Sequence, residues 1–328
     1  MEYTTLGSTG VSVSKIGLGC MSFGSPSWRD WVLDEDESRA ILERAIDLGV
    51  NFFDTANVYS AGESERVLGS VVDEYDRDEF VLATKVRFPT DEDYPNASGL
   101  SRKSIEQNLE ASLERLGVDT VDLYQIHRRC PETPPAVTMR ALDDAVRRGQ
   151  VRYLGASSMW AHELADYLHT ADRLGLERFA TMQNHYNVMY REEEREVVPL
   201  CRREGVGMIP WSPLARGCAA RPHEELTATE RGHSDRDRHS ARHDTYLGNG
   251  GREINERLQE LAADMDVSMA QVALAWLCHQ DGVSAPIVGA TSVSHLEEAV
   301  EATELSLSDS DLAYLEEPYE PTAVIGHD

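Results

Sequence analysis

Lysine is nearly missing from this chain, and positive charge is scarce in general. Among 31 basic residues only Lys15, Lys85 and Lys103 are lysines, and 58 acidic residues bring the formal net charge to −27. A surface of this charge repels nucleic acid, so no nucleic-acid partner is expected. It is typical of proteins adapted to concentrated salt, where a Debye length of about 3 Å at 1 M screens self-repulsion. We predict a halophilic protein, and an acidic protein of ordinary salinity is the alternative.

Long apolar runs, paired cysteines and metal-binding clusters are also missing. No stretch of about 18 apolar residues could span a membrane, and the chain start lacks the features of a signal peptide. We therefore expect a cytoplasmic protein without a membrane partner. The five cysteines form no C-x-x-C pair, which argues against a disulfide framework or a zinc site. His239 and His243 have metal-like i,i+4 spacing but no third ligand beside them, so no metal is predicted.

The glycine fingerprint of a Rossmann dehydrogenase is absent as well. Gly17 and Gly19 lack the third glycine of G-x-G-x-x-G, so a Rossmann fold is disfavoured. Short apolar segments instead alternate with amphipathic helical segments until eight strands have been counted. This α/β pattern predicts a single domain over residues 1–328, a (β/α)8 TIM barrel with an N-terminal β-hairpin and a C-terminal helical tail. Residues 217–250 interrupt the alternation with a long polar loop.

Four chemically active side chains stand at the ends of three successive predicted strands. Asp54 ends the strand that begins at Phe52, Tyr59 follows it, Lys85 ends the next strand and His127 the one after. Neighbouring parallel strands lie about 4.8 Å apart, and catalytic groups of such barrels sit at the carboxyl end. The four side chains are therefore expected to converge on one site. Each alone has an ordinary structural interpretation, such as a helix-capping Asp or a half-buried Tyr.

This set suits the reduction of a carbonyl group. Hydride transfer builds negative charge on the carbonyl oxygen, which then needs a proton donor. Tyr59 can be that donor, because a tyrosine pKa near 10 falls when an ammonium such as that of Lys85 stabilises the phenolate. Asp54 can hold Lys85 in place, and His127 can donate a hydrogen bond to the carbonyl oxygen.

Six motifs follow one another along nearly the whole chain: Phe53-Asp54-Thr55-Ala56 with Tyr59, Thr84-Lys85, Leu123-Tyr124-Gln125-Ile126-His127, Gly155-Ala156-Ser157, Gln183-Asn184, and Trp211-Ser212-Pro213-Leu214-Ala215-Arg216-Gly217. In this order they resemble the aldo-keto reductase superfamily. The segments at 19–24 and 190–195 are similar to its aryl-alcohol-dehydrogenase-like branch. The resemblance implies an NAD(P)H-dependent oxidoreductase acting on aldehydes, ketones or the corresponding alcohols, with Asp54, Tyr59, Lys85 and His127 as catalytic residues.

The resemblance also implies where a nicotinamide dinucleotide binds. Nicotinamide is expected near Ser157, Gln183, Asn184 and Trp211, although Trp211 could instead only pack in the barrel mouth. The remaining expected cofactor contacts are Ser212, Leu214, Arg216, Gly289, Thr291, Ser292, His295 and Glu298. The 217–250 loop is predicted to clamp the cofactor, with Arg216 or Arg231 on its phosphates. The substrate pocket is predicted to include Trp28, Tyr59, Phe88 and His127.

Two questions stay open at this point. Thr291 and Ser292 stand where NADPH-using relatives often carry Arg or Lys, so NADPH is favoured only weakly over NADH. A cofactor-binding regulatory subunit of the same fold is the alternative to an enzyme, because such subunits can retain the same four residues. An oligomer is possible.

Overall fold

The computed structural model describes residues 1–90, 96–228 and 246–327. Its main sheet has eight parallel strands in the order β10-β3-β4-β5-β6-β7-β8-β9, and a separate two-stranded sheet pairs β1 with β2. The strands are β1 Tyr3–Thr5, β2 Ser12–Ser14, β3 Gly17–Gly19, β4 Phe52–Asp54, β5 Val81–Val86, β6 Val121–Ile126, β7 Val151–Ser157, β8 Phe179–Gln183, β9 Gly207–Met208 and β10 Ile287–Gly289.

The described residues contain ten α-helices, most of which connect successive strands. They are α1 Glu35–Asp47, α2 Glu63–Val72, α3 Arg102–Leu116, α4 Pro135–Arg147, α5 Ala161–Leu174, α6 Val197–Glu204, α7 Gly251–Met265, α8 Met269–Cys278, α9 Val293–Glu301 and α10 Asp309–Glu316. The capping box predicted at Asp34 is present, since Asp34 accepts from the backbone of Glu37. Ser101 likewise caps α3, which ends at Gly117 in the left-handed conformation.

The two edges of the eight-stranded sheet are joined by hydrogen bonds. Ser284 N donates to Met208 O at 2.7 Å, and Ile287 N donates to Pro210 O at 2.8 Å. Trp211 and Ile287 form a further parallel bridge. Strand β9 is shorter than the predicted strand over 206–210, because Pro210 has no N–H to donate to the ladder. The arrangement fits the predicted (β/α)8 fold.

Along each strand, the residues alternate between facing the inside of the barrel and facing the surrounding helices. On β5, Val81 and Ala83 pack with Phe52, Leu123 and other strand residues in one buried cluster, whereas Leu82 and Val86 belong to the cluster that includes the helices. By this alternation Lys85 faces the barrel interior. Both faces of the sheet are buried, which explains why the strands read as continuous apolar segments.

The N-terminal hairpin is confirmed and lies at the amino end of the strands. Strands β1 and β2 pair antiparallel, and Leu6 and Val13 pack with Phe52 and Val81 at the start of their strands. A Cβ on Gly7 would lie 2.7 Å from the carbonyl oxygen of Ala180. The hairpin thus approaches the barrel closely, and a side chain at position 7 would collide with backbone.

The C-terminal part differs from the predicted helical tail. Helix α10 is short, and residues 317–327 contain no helix. They run back to the carboxyl end of the barrel, where Ile325 N donates to Tyr190 Oη at 2.9 Å and His327 Nε2 lies 3.0 Å from Glu193 Oε1. A non-helical segment satisfies its backbone here through side chains of the loop after β8.

Residues 217–250 are only partly described, and they contain a short 3₁₀ helix, His223–Ala228, where a loop was predicted. Within the described ranges, no single helix is long and apolar enough to cross a membrane, and one pair, α7 and α8, passes that test jointly but is bent by 101°. Those same ranges hold no group of three or more His, Cys, Asp or Glu placed to bind a metal ion. His233, His239 and His243 lie outside them.

Candidate active site

Asp54, Lys85 and Tyr59 meet at the carboxyl end of β4 and β5. Lys85 Nζ donates to Asp54 Oδ2 at 2.5 Å, to the carbonyl oxygen of Thr55 at 2.8 Å and to Tyr59 Oη at 3.3 Å. The Lys85 and Asp54 side chains are 0% and 3% exposed. The ammonium is therefore held by three oxygen atoms, one of which is the phenol oxygen.

Two glutamines complete the surroundings of Asp54. Gln125 Nε2 donates to Asp54 Oδ1 at 2.8 Å and Gln183 Nε2 donates to it at 2.9 Å. Gln125 was not predicted, although it is a polar residue two positions before His127 in an otherwise apolar strand. A Cβ on Gly155 would lie 2.8 Å from Gln125 Cγ, so glycine leaves the room that the Gln125 side chain occupies.

Tyr59 is carried by a strained turn. It begins the 3₁₀ segment Tyr59–Gly62, in which Ser60 and Ala61 have φ of 48° and 54°, a region that non-glycine residues seldom adopt. Ser60 Oγ donates to the carbonyl oxygen of Phe23 at 3.2 Å, which ties the turn to the loop after β3. This bond helps to hold a backbone that would otherwise relax away from Lys85.

Burial and neighbouring charge act in opposite directions on the phenol and the ammonium. Burial raises the pKa of Tyr59, although the Lys85 charge opposes it. The sequence predicted the Lys85 effect, but burial outweighs it. Burial alone would lower the pKa of Lys85, yet Asp54 and Tyr59 more than compensate, so that pKa is raised. At neutral pH the phenol is thus protonated and the lysine charged.

His127 lies beside Tyr59 among aromatic rings. Its ring centroid is 5.7 Å from that of Tyr59 and 5.0 Å from that of Phe88, and Trp28 lies 6.3 Å from Tyr59. Burial, followed by the charges of Lys85 and Arg128, holds the pKa of His127 well below its usual value of 6.5. A neutral imidazole carries one N–H donor. The four residues predicted for the substrate pocket are therefore brought together.

Trp211 lines another side of the site, and one face of its ring is already covered by a neighbouring side chain. Its ring stacks at 4.2 Å on His185, which stacks at 4.1 Å on Tyr190. Trp211 Nε1 donates to Ser158 Oγ at 2.9 Å. The observed geometry is therefore compatible with both predicted interpretations of Trp211. One face of its ring packs in the barrel mouth, and only the other face could stack on a ligand. His185 was not identified as a site residue from the sequence.

The predicted nicotinamide contacts include a buried amide with no protein partner. Among the described residues, neither Nδ2 nor Oδ1 of Asn184 has a hydrogen-bond partner, and Asn184 is fully buried. A primary amide such as a carboxamide offers the donor and acceptor that these two atoms need. Ser157 Oγ donates to Gln183 O at 2.8 Å. The residues at the end of β7 and β8 thus fit the predicted carboxamide site.

The other predicted cofactor residues lie after β9 and β10. Ser292 caps α9 by accepting from His295 N at 3.3 Å, and Thr291 Oγ1 is 3.4 Å from His295 Nδ1. Glu298 Oε2 accepts from Ser268 Oγ at 3.1 Å, so this carboxylate already has a protein partner.

The backbone at these two connections is open or unusual. A Cβ on Gly289 would meet nothing within 4 Å, so a ligand could approach closely there. Ser212 and Arg216 adopt φ of 52° and 56°, and Leu214 packs against the main core. Arg231 lies outside the described residues.

Arg128 is a site residue that the sequence analysis missed. It follows His127 directly, and its Nη1 donates to His127 O at 2.6 Å and to Ser157 Oγ at 3.2 Å. Its position after a strand-end residue was the available signal.

Comparison with known proteins assigns this chain to a family. Residues 15–320 match the model of the aldo/keto reductase family. The chain is 42% identical to versiconal hemiacetal acetate reductase of Aspergillus parasiticus, over 99% of this chain and 98% of the relative. It is 43% identical to aldo-keto reductase AFTS1 of Alternaria alternata, over 99% of this chain and 93% of the relative.

A third relative supports the predicted branch. The chain is 42% identical to a provisionally named aryl-alcohol dehydrogenase of Schizosaccharomyces pombe, over 99% of this chain and 97% of the relative. The chain belongs to the aldo/keto reductase family and is an NAD(P)H-dependent oxidoreductase that resembles aryl-alcohol dehydrogenases.

Proposed function

We propose that this oxidoreductase reduces an aldehyde or ketone reversibly to the alcohol, with Tyr59 as the proton donor. The observation that carries the proposal is the contact of Lys85 Nζ with both Asp54 Oδ2 and Tyr59 Oη, at 2.5 and 3.3 Å. A buried ammonium beside a buried phenol stabilises the charge that forms on the phenol oxygen as its proton leaves.

Each residue of the group has a distinct role in this proposal. Tyr59 Oη transfers its proton to the carbonyl oxygen of the substrate. Lys85 stabilises the resulting phenolate, and Asp54 keeps Lys85 charged and in place. His127 is neutral and donates a hydrogen bond to the same carbonyl oxygen, while the rings of Trp28 and Phe88 exclude water from the pocket.

The nicotinamide dinucleotide supplies the hydride when bound. Asn184 and Ser157 would hold its carboxamide, and Trp211 would support its ring. Both hydrogens of the Gln183 amide are engaged, with Asp54 Oδ1 and Gln125 Oε1 at 2.9 and 3.3 Å, so Gln183 would contribute its oxygen. The phosphates would bind at Gly289 and at the amino end of α9, where backbone N–H groups favour anions.

The proposal also includes the cofactor preference and the role of the 217–250 loop as a clamp over the cofactor. Residues 214–252 hold seven arginines against six acidic residues in an otherwise strongly acidic chain, which favours an anionic cofactor beneath them. Asn255 Nδ2 donates to Cys218 O at 2.7 Å and Tyr246 Oη lies 2.7 Å from His185 Nε2, so this stretch is anchored at one end to α7 and at the other to His185.

We expect proteolysis within 217–250 to slow markedly when saturating cofactor is added, and tighter binding of NADPH than of NADH. Equal cleavage rates with and without cofactor would refute the clamp. The single-domain organisation and the cytoplasmic location remain predictions.

An assay of cofactor oxidation tests the main proposal. The purified protein is mixed with NADPH or NADH and a panel of aromatic and aliphatic aldehydes, and absorbance of the reduced cofactor is followed. Turnover that depends on aldehyde is expected. Tight cofactor binding without turnover of any aldehyde would indicate the regulatory alternative instead.

A further inference from the structure

Among the described residues, Arg128 is a cation at the catalytic site without a counter-ion. Its two hydrogen bonds go to neutral oxygens, His127 O at 2.6 Å and Ser157 Oγ at 3.2 Å, and its Cζ lies 5.8 Å from the centre of the Trp211 ring. Burial lowers the pKa of its guanidinium. In the part of the chain that the structure describes, no carboxylate oxygen forms an ion pair with Arg128.

Several other arginines of low exposure in this acidic chain have carboxylate partners. Arg115 Nε lies 2.6 Å from Glu65 Oε2 and Arg191 Nε lies 2.8 Å from Glu194 Oε1. The neighbouring Arg129 pairs with Glu163 at 3.2 Å. A partly buried charge without a partner destabilises the fold, so the lack of a carboxylate beside Arg128 in the described residues calls for an explanation.

The position of Arg128 points to the substrate and away from the cofactor phosphates. It follows β6, and β6 lies four strands from β10 in a sheet of eight, which is the opposite side of the barrel from Gly289 and Ser292. Its charge acts on both Tyr59 and His127, the residues that face the reacting carbonyl.

The C-terminal segment bounds this space on one side. A Cβ on Gly326 would lie 3.1 Å from Trp211 Cζ2 and 4.0 Å from Arg128 Nη2. A group bound by Arg128 therefore lies between the reacting carbonyl and residues 325–327.

We propose that Arg128 binds a carboxylate of the substrate, and that the physiological substrate is a carbonyl compound bearing a carboxylate group. This inference rests on the proposed function above. The planar guanidinium fork matches a carboxylate with two parallel N–H···O bonds, and such charge-assisted bonds are strong in a partly buried site. The contact is short-ranged, because the −27 surface repels anions at longer range.

The test compares charged and neutral aldehydes of matched shape. Kinetics are measured with 2-, 3- and 4-carboxybenzaldehyde and with the three methyl esters, which lack the charge, for the wild type, Arg128→Met and Arg128→Lys. Arg129→Met is the control. It removes a positive charge from the next residue, whose side chain already has an acidic partner. All assays are run at high salt.

For the wild type, at least one carboxylate isomer should have a kcat/KM about 10- to 100-fold above that of its ester. Arg128→Met should abolish that preference mainly through KM, so that the ratio of the acid kcat/KM to the ester kcat/KM falls to about one. Arg128→Lys should restore part of it, and Arg129→Met should keep all of it.

Three results would overturn the inference. One is a wild type that turns over esters and acids equally. The second is an Arg128→Met variant that loses both substrates to the same extent, which would mean that Arg128 acts on Tyr59 or His127. The third is a weakened Kd of NADPH in that variant, which would make Arg128 a cofactor ligand. If no aldehyde of either kind reacts, the proposed function itself fails.

Discussion

At the scale of single residues, the proposed chemistry depends on a phenol that stays protonated until it transfers its proton to the substrate carbonyl. Burial raises the pKa of Tyr59, and Lys85 at 3.3 Å reduces the cost of the phenolate. The buried ion pair with Asp54 keeps that lysine charged. These three groups therefore act as one unit.

Tyr59→Phe tests the proton donor, because it removes the hydroxyl and keeps the ring. We expect kcat for aldehyde reduction to fall about 100-fold or more, with the cofactor Kd unchanged. The kcat of Lys85→Met should fall comparably, and the kcat of the double variant should be little lower than that of either single variant. A near-wild-type kcat in Tyr59→Phe would show that the proton comes from another group.

A second residue-scale prediction concerns acid stability and His185. Burial lowers the pKa of His185 well below 6.5, so below that pH the unfolded chain binds a proton that the folded chain does not. The free energy of unfolding should therefore decrease as the pH falls below 6.5 towards the lowered pKa. His185→Phe keeps an aromatic ring stacked on Trp211 but removes the group that binds this proton in the unfolded chain.

The variant is expected to be less stable overall, because the contact between Tyr246 Oη and His185 Nε2 at 2.7 Å is lost, but its stability should depend less on pH. Urea unfolding midpoints between about pH 7 and about pH 5.5 measure this, with the exposed His162→Asn as control. An unchanged pH slope in His185→Phe would contradict the prediction.

At the scale of elements, one buried carboxylate ties two helices to the strand that carries Lys85. Glu65 on α2 accepts from Thr84 Oγ1 on β5 at 2.6 Å and pairs with Arg115 on α3 at 2.6 Å. Its side chain is fully buried and that of Arg115 is 11% exposed. The pair therefore fixes the strand at the residue before Lys85.

Arg115→Met should destabilise the protein by about 3 kcal/mol, because the Glu65 charge stays buried without its partner. The control Arg102→Met removes two more exposed pairs, with Glu106 and Asp144, and should cost less than about 1 kcal/mol. Denaturant unfolding at high salt measures both. Equal effects of the two substitutions would show that Glu65 does not depend on Arg115.

At the scale of the whole molecule, the net charge of −27 leads us to predict that folding depends on salt. As salt is removed the Debye length grows and like charges repel over longer distances. We expect the Tm and the activity to fall progressively on dialysis towards about 50 mM salt. Full folding and activity at that concentration would refute the halophile prediction.

The sequence alone was enough to predict the (β/α)8 architecture and the polar residues at the ends of its strands. Burial of both sheet faces makes strands visible as short apolar segments, and the polar residue that ends each one stands out, as Asp54, Lys85 and His127 do. Such signals are local, because they arise from a few consecutive residues and from the alternation of strand faces. Helix starts at Asp34 and Ser101 were predictable for the same reason.

Tertiary structure decided which side chains meet across strands and loops. Among the described residues Arg128 has no acidic partner, which depends on where β6, β7 and Trp211 lie, and the support of Trp211 by His185 joins residues of different connections. The return of residues 317–327 to the barrel mouth depends on bonds to Tyr190 and Glu193. No local pattern encodes such contacts, because their energy comes from groups far apart in the chain that only the closed barrel brings together.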